Sequence, residues 1–252
     1  MIVLNENDWA QDAIESRSMG KQPFETLYRV ARYYLDSGYA RKEVRKMLDE
    51  FVLKCDNTAS LPKWSSVLDF ALSRAVKHPA LCEDSIAITI PEMEVIQSVK
   101  GRQLQRLAFT LLCLAKYWDL VNPVKEHWVN TKDNEIMRMA NINTSVKRQS
   151  SMYAQLHEMG LVSFSKKVDN TNVRVCFMKP GDEALSVTDF RNLGYQYLRY
   201  CGEPYFTCES CGLTVKLSDP NRGRKQHYCK ACAIEIATQQ RVNSVMRQRK
   251  PA

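Results

Sequence analysis

The clearest alternation of apolar and polar positions lies between Trp128 and Met178. The pattern predicts a series of short elements: a strand from 128, a helix over 131–139, a turn over 140–143, a helix over 144–158, and two strands over 161–165 and 173–177. Thr131 is expected to cap the first helix, because its hydroxyl can accept from a free N–H of the first turn. Asparagines in the turn tolerate a left-handed backbone, and Gly160 is expected to end the second helix.

The second of these helices has an apolar and a polar side. Its apolar positions are spaced for one buried face, and they are Val146, Met152, Leu156 and Met159. The early turns carry hydroxyl, amide and basic side chains, which are the groups that contact phosphates and base edges in DNA. The pattern therefore predicts one face for packing and one face for a ligand.

The segments on either side are predicted from the same kind of pattern. Amphipathic spacing indicates a helical bundle over residues 1–82, with helices around Phe24–Leu35, around Val44–Val52 and from Pro62 onward. The β-branched run Ile86–Ile90 predicts a strand, and 103–118 predicts a long buried helix.

A further helix is predicted after Pro180 from an apolar stripe made mostly of aromatic residues, namely Phe190, Leu193, Tyr197 and Tyr200. Such a stripe, interleaved with Arg191 and Arg199, could stack on unpaired bases. The alternative is core packing, against the preceding segment or against a second copy of the chain, so a homodimer stays open.

The run 156–162, Leu-x-Glu-x-Gly-Leu-Val, resembles the end of the recognition helix in many bacterial winged helix-turn-helix proteins. The resemblance implies that exposed residues of the second helix bind the major groove and that the tip between the last strands, the wing, contacts phosphates or the minor groove. The DNA-binding residues implied are Ser145, Lys147, Arg148 and Ser151 on the helix, and Lys166, Lys167 and Arg174 on the wing. The alternative is a winged-helix fold that serves only to dock proteins.

Two CxxC pairs, Cys208/Cys211 and Cys229/Cys232, are separated by seventeen residues. Two such pairs can place four thiolates around a tetrahedral centre, and Zn²⁺ binds this set without redox demands. Because four cysteines leave no open coordination position, the spacing predicts one structural zinc ion and no catalytic one. The alternatives are two disulfides or four unrelated thiols.

The segment around these cysteines resembles a zinc ribbon, with a strand over 213–217 and a hairpin tip over 219–223. His227 and Cys201 lie near enough in sequence to replace a ligand. The tip and the residue after it would hold three basic side chains where they can contact phosphate: Arg222, Arg224 and Lys225. A solvated turn is the alternative.

Positive charge is concentrated towards the C-terminus. The net charge is +8, and residues 212–252 hold nine Lys/Arg against two Asp/Glu, a net of +7. A concentrated basic segment favours a polyanionic partner. Basic residues near a helix C-terminus are also favoured by the helix dipole alone, so a solvated tail is the alternative.

Enzyme and membrane classes lack support in the sequence. It has no GxxxxGK[ST], no HExxH and no His-x-His motif, and its four histidines are scattered. The longest apolar run, Leu107–Ala115, is too short to cross a bilayer, and no signal peptide is visible. Nine cysteines, four of them in CxxC pairs, indicate a reducing compartment and a metal. We therefore predict a cytoplasmic protein that is not an enzyme.

The sequence thus predicts a mainly α (α+β) protein with a helical bundle, a central winged helix and a small C-terminal zinc ribbon. The expected division is an N-terminal helical bundle over 1–82, a winged-helix domain over 83–180, a helical linker over 181–206, and a zinc ribbon with a basic C-terminal helix over 207–252.

The predicted function is sequence-specific binding of double-stranded DNA in replication initiation or transcription regulation. The combination of parts is similar to that of proteins carried by phages and mobile elements. The helical bundle, with its turn at residues 37–44, resembles the small helical domain that follows the catalytic part of some plasmid and phage primases, although the catalytic residues of primases are absent. The expected partners are DNA and, through the bundle, replication or transcription proteins. The alternative is an adaptor or inhibitor that docks a nucleic-acid-processing machine.

Overall fold

The structure is a computed structural model that describes residues 2–124, 126–165, 172–218 and 225–248. Within these ranges the chain forms ten helices and seven short strands, so it is mainly α with small sheets, as predicted. It divides into two compact units, Met1–Ser85 and Ile86–Ala252, called here the first and second units. In the described ranges, no helix is both long enough and apolar enough to cross a membrane.

The first unit is a bundle of helices: α1 Glu6–Glu15, α2 Pro23–Asp36, α3 Arg41–Cys55 and α4 Leu61–Ala75. Helix α2 packs against each of the others. The core is mainly aliphatic and includes Leu27 of α2, Leu48 of α3 and Leu68 of α4, all fully buried. The sequence does not predict α1, because its buried positions Ala10 and Ala13 are too small to form a visible apolar stripe.

A buried carboxylate joins the ends of this unit. Glu6, the first residue of α1, forms ion pairs with Arg29 and Arg32 of α2. Its other contact is with the chain after α4, where the Leu81 N–H donates to Glu6 Oε2 over 3.2 Å. Arg32 also donates to the Pro79 carbonyl over 2.9 Å. The contacts of Glu6 and Arg32 therefore fix α1 and the segment after α4 to α2.

The second unit is built around one long helix. Its elements are β1 Ile86–Thr89, α5 Ile90–Ser98, α6 Arg102–Val121, β2 Trp128–Val129, α7 Asp133–Met139, α8 Val146–Glu158, β3 Val162–Phe164, β4 Val173–Val175, β5 Glu183–Val187, α9 Leu193–Tyr200, β6 Tyr205–Thr207, β7 Thr214–Lys216 and α10 Lys230–Gln248. Helix α6 is buried along most of its length and contacts α5, α7, α8 and α9. Cys113, at its centre, is fully buried as a core side chain.

Helices α6, α7 and α8 pack with a three-stranded antiparallel sheet in the order β2-β4-β3. The predicted order of strand, helix, turn, helix and two strands is confirmed for 128–177 within the described residues. Helix α8 ends at Glu158, and Gly160 follows with a left-handed φ of 71°, as the sequence predicts.

Two local predictions in this segment are wrong. Thr131 does not cap α7, which begins at Asp133 with Lys132 in the cap position. Its hydroxyl instead accepts from the Trp118 indole over 2.9 Å, because that half-buried N–H needs an acceptor. Val146 and Met159 do not belong to the buried face of α8, since they are 76% and 46% exposed at its two ends, beyond the reach of the α6 core.

The segment 181–206, predicted as a helical linker, begins with a strand. β5 pairs antiparallel with β1, with Val187 opposite Ile86, and α9 starts only at Leu193. The sequence does not reveal β5 because its pairing partner is distant in the chain and its own apolar alternation is weak. Most of the aromatic stripe is core: Phe190, Leu193 and Tyr197 are buried, with the Tyr197 ring 5.5 Å from that of Phe109 on α6. Tyr200, the last member of the stripe, is 39% exposed.

Candidate metal centre and nucleic-acid interface

The best-defined candidate site is a cluster of four thiols in the second unit. The sulfur atoms of Cys208, Cys211, Cys229 and Cys232 all lie within 4.8 Å of one another. Those of Cys211 and Cys229 are 3.8 Å apart. A tetrahedron with about 2.3 Å from centre to sulfur, the usual zinc–sulfur distance, has edges of about this length. The residues present therefore fit one tetrahedral structural metal ion.

Local structure explains how each pair reaches the cluster. Cys208 and Cys211 lie in the tight connection between β6 and β7, where the Gly212 N–H donates to the Cys208 carbonyl over 2.9 Å. Gly212 has a φ of 70°, which favours glycine. Cys229 directly precedes α10 and Cys232 lies in its first turn. A short hairpin and a helix start thus supply two thiols each.

The backbone prepares one thiol for ionisation. Burial of Cys208 raises its pKa, but backbone N–H groups of Cys229, Cys211 and Ser210 donate to its sulfur and lower the pKa to about 6. The Cys229 N–H lies 3.2 Å from that sulfur. A thiolate is the form of cysteine that binds metal. All nine cysteines are free thiols, so the disulfide alternative is wrong for this structure.

Residues next to the cluster form hydrogen bonds and ion pairs that hold it in place. Arg191 donates through Nη2 to the Cys211 carbonyl over 2.6 Å and pairs with Asp189 over 2.7 Å. His227, considered as a substitute ligand, instead hydrogen-bonds through Nδ1 with Glu209 Oε1 over 2.6 Å. The candidate metal set is therefore the predicted four cysteines, and Arg191 is a supporting residue that the sequence does not identify.

The second candidate site is the exposed N-terminal half of α8. Ser145 is the cap of this helix, and its side chain accepts from the Arg148 backbone N–H over 3.4 Å. Val146, Lys147 and Arg148 then follow as exposed residues. The opposite side of α8 is held in the unit by buried Met152, Tyr153 and Leu156.

Several of the predicted DNA-binding side chains already have partners. Arg148 Nη2 donates to Gln103 Oε1 on α6 over 3.3 Å. Ser151 Oγ accepts from Gln155 Nε2 over 3.1 Å. Arg174, on β4, donates through Nε to the Glu126 carbonyl over 3.3 Å and pairs with its carboxylate at 3.6 Å. These contacts are at exposed or half-buried positions, where water or a phosphate can replace a weak partner.

Four predicted contacts, Lys166, Lys167, Arg222 and Arg224, lie outside the described residues, as do the wing tip and the hairpin tip. Lys225 is described and exposed. The structure brings Ser145, Lys147, Arg148 and Ser151 together on one helix end. The DNA contacts themselves stay predictions.

The turn before α8 has a polar link that sequence reasoning does not find. Asn141, with a left-handed φ of 56°, donates through Nδ2 to Asn192 Oδ1 over 3.0 Å. Asn192 also has a left-handed φ, of 52°, and donates to the Thr214 carbonyl over 3.0 Å. The positive φ of Asn141 is foreseeable from its place in a turn, but its partner is not.

Comparison with protein-family models, with curated proteins and with solved structures finds no significant match to this chain.

Proposed function

We propose that the protein binds double-stranded DNA sequence-specifically, as a winged helix-turn-helix protein in which α8 enters the major groove. The observation that carries this proposal is the solvent-exposed start of α8. Val146, Lys147 and Arg148 are all exposed directly after the cap, while the other face of the helix packs on its own unit. A helix fixed on one side and exposed on the other is what insertion into a groove requires.

The chemistry of this surface suits DNA. No acidic residue occurs from Ile136 to His157, so nothing in that stretch repels phosphate. Lys147 and Arg148 carry donors for phosphate or guanine, and Ser151 offers a hydroxyl. Val146 is 76% exposed, and an apolar side chain at this place suits contact with a thymine methyl group.

Basic residues outside α8 extend the proposed interface. Lys166, Lys167 and Arg174 of the wing would contact phosphates or the minor groove, and Arg222, Arg224 and Lys225 would contact phosphates beside the metal site. Contacts of this kind fix register and add affinity without reading sequence. The ion at the four-cysteine site is proposed to be Zn²⁺ in a structural role, since a closed four-thiolate set is typical of zinc.

The test is selection of duplexes from a random pool by full-length, zinc-loaded protein, followed by titration of the selected duplex at near-physiological salt. The double change Lys147→Ala and Arg148→Ala should weaken binding of the selected duplex, because a good base contact contributes about 1–3 kcal/mol. Lys42→Ala with Lys46→Ala, on the exposed side of α3, removes the same charge and should leave binding unchanged.

Equal affinity of the two double variants would remove α8 as the element that reads sequence. Binding that disappears at near-physiological salt for every duplex would indicate a nonspecific polyanion contact instead. Either result counts against the proposal.

The biological setting is proposed to be a phage or mobile element, in replication initiation or transcription regulation. A footprint of the selected sequence next to a promoter would favour regulation. Recovery of a helicase or primase with the full-length chain would favour replication, with the first unit as the surface that recruits it.

An adaptor role is the second candidate, and exposed apolar side chains favour it. In the first unit, Phe70 is 64% exposed and its ring lies 5.4 Å from that of Phe24. Exposed apolar patches mark protein interaction sites when they are contiguous. Absence of duplex binding together with capture of a polymerase, helicase or primase that Phe70→Ser abolishes would favour the adaptor.

A further inference from the structure

We propose that metal binding at the four cysteines regulates DNA binding by α8, and that Asn192 transmits the effect. Two parts of the second unit are involved: the metal hairpin, residues 205–216, and the helix-turn-helix turn, residues 140–145. This regulation rests on the proposed function of α8. The link between the two parts can also be measured without DNA, by hydrogen exchange.

On the metal side, two consecutive residues hold the hairpin. Arg191 donates to the carbonyl of Cys211, one of the four thiol residues, over 2.6 Å. Asn192 donates through Nδ2 to the carbonyl of Thr214, three residues further along, over 3.0 Å. The hairpin thus contacts the start of α9 through backbone carbonyls whose positions depend on the metal knuckle.

On the DNA side, Asn192 and its helix hold the turn that precedes α8. Asn192 Oδ1 accepts from Asn141 Nδ2 over 3.0 Å, and Asn141 Oδ1 accepts from the Tyr195 N–H over 3.1 Å. Arg106 of α6 donates to the Asn141 carbonyl over 3.0 Å. Asn141 lies four residues before Ser145, the cap of α8.

The contact between α9 and the turn leaves no room for adjustment. A Cβ atom added to Gly194 would lie 2.0 Å from the Ala140 carbonyl oxygen, so only glycine fits there. Asn141 and Asn192 both hold left-handed backbones that most side chains avoid. The hydrogen bonds of their side-chain amides offset the cost of that backbone conformation, since each amide bonds to a partner across the contact.

Loss of the metal would remove support from this chain of contacts. The metal hairpin has three paired residues on each strand, and a two-stranded hairpin of this size is marginal alone. Without the ion, the Cys211 and Thr214 carbonyls lose their fixed positions, and Asn192 loses one of its two partners. The turn then samples more conformations, and DNA must restore the ordered one at a cost in affinity.

The test compares zinc-loaded and metal-free full-length protein in two measurements, hydrogen exchange of residues 140–148 and affinity for the selected duplex. The variants are Asn192→Gly, which keeps the left-handed backbone, and Asn192→Asp, which can still accept from Asn141 but cannot donate to Thr214. Asn57→Gly, in an exposed turn of the first unit, is the matched control.

In the wild type and in Asn57→Gly, metal removal should accelerate exchange in the turn and weaken duplex binding by about fivefold or more, the range of ordinary allosteric coupling. By reciprocity, the duplex should tighten zinc binding by the same factor. In both Asn192 variants this coupling should fall to about twofold or less, with α6 exchange unchanged as a check of folding.

Coupling of wild-type size in both Asn192 variants would overturn the proposal. It would also be overturned if metal removal accelerated hydrogen exchange in the metal hairpin but left exchange in the turn unchanged. If zinc-loaded wild type binds no duplex, the proposed function fails. The exchange measurement alone then supports or overturns the link through Asn192.

Discussion

At the residue scale, Glu6 shows how one side chain can hold a small bundle together. It is 5% exposed and lies between Arg29 and Arg32, each of which is also buried. Arg32 additionally lies over the Tyr28 ring at 4.1 Å, and Arg29 lies over Trp9 at 4.9 Å. A buried charge is tolerated only when it is paired and hydrogen-bonded, so the three charged groups depend on one another.

Glu6→Gln should therefore destabilise the first unit strongly. The amide keeps the shape but leaves two buried guanidinium groups without a counter-charge, and breaking a buried pair costs about 3–5 kcal/mol. Urea denaturation measures the change in the free energy of unfolding, and hydrogen exchange of α1 and α2 shows whether these helices are the ones affected.

Glu50→Gln is the control for this change, because Glu50 pairs with Lys54 at 3.8 Å on the exposed side of α3. Such a surface pair contributes about 0.5 kcal/mol or less. Equal destabilisation by Glu6→Gln and Glu50→Gln would show that the buried pair does not hold the bundle.

The sequence identifies some decisive residues and misses others for a physical reason. The four clustered cysteines are visible because their spacing is local and their chemistry is specific. Asn192 and Gly194 are not visible, because each acts on Asn141 or Ala140, about fifty residues away along the chain. Contacts of this kind depend on how α9 packs, which no local pattern encodes.

At the element scale, helices with strong periodicity or clear end signals are predictable, and short strands are less so. Helices α6 and α8 are found close to their true ends, since a long apolar face marks α6 and Gly160 ends α8. Strand β5 is not found, because its identity comes from pairing with β1. The exposed Val146 shows a further limit: apolar spacing predicts a buried face, but a helix end can extend past the core it packs on.

The metal hairpin and α10 should depend on the metal for their order. Among the described elements of the second unit, α10 contacts its neighbours little, and it is anchored at Cys229 and Cys232. Chelation should therefore make residues 205–216 and α10 sensitive to protease, while α6 and α8 keep their helical signal, because their core lies elsewhere.

Cys208→Ser should reproduce this effect without a chelator, since Cys208 is a buried member of the thiol cluster. Cys82→Ser is the matched control, because Cys82 is an exposed thiol of the first unit. Limited proteolysis with mass spectrometry of the fragments reports both. Persistence of a protease-resistant C-terminal fragment after verified metal removal would count against a structural metal.

At the scale of the whole molecule, charge is unevenly distributed along the chain. The first unit holds twelve Lys/Arg and thirteen Asp/Glu over residues 1–85, so its net charge is close to zero. Residues 212–252 hold a net of +7. If a polyanion binds this protein, we therefore expect it to bind the C-terminal part of the chain rather than the first unit.

This distribution predicts how salt acts on DNA binding. Truncation after Gln240 removes four basic residues, Arg241, Arg247, Arg249 and Lys250, and keeps all four cysteines. If each of these side chains meets a phosphate, the slope of log affinity against log salt should become shallower by up to about 3.6, since each phosphate contact contributes about 0.9. Titrations of the selected duplex between low and near-physiological salt give that slope for the full-length and truncated proteins.

The preferred DNA sequence should be the same for both proteins, because phosphate contacts carry no base information and the α8 surface is intact. Zinc content of the truncated protein checks that the metal site has survived. An unchanged salt slope would show that the tail stays in solvent when DNA is bound. A changed sequence preference would show that the tail reaches base edges, and the division between a reading helix and a nonspecific basic tail would then be wrong.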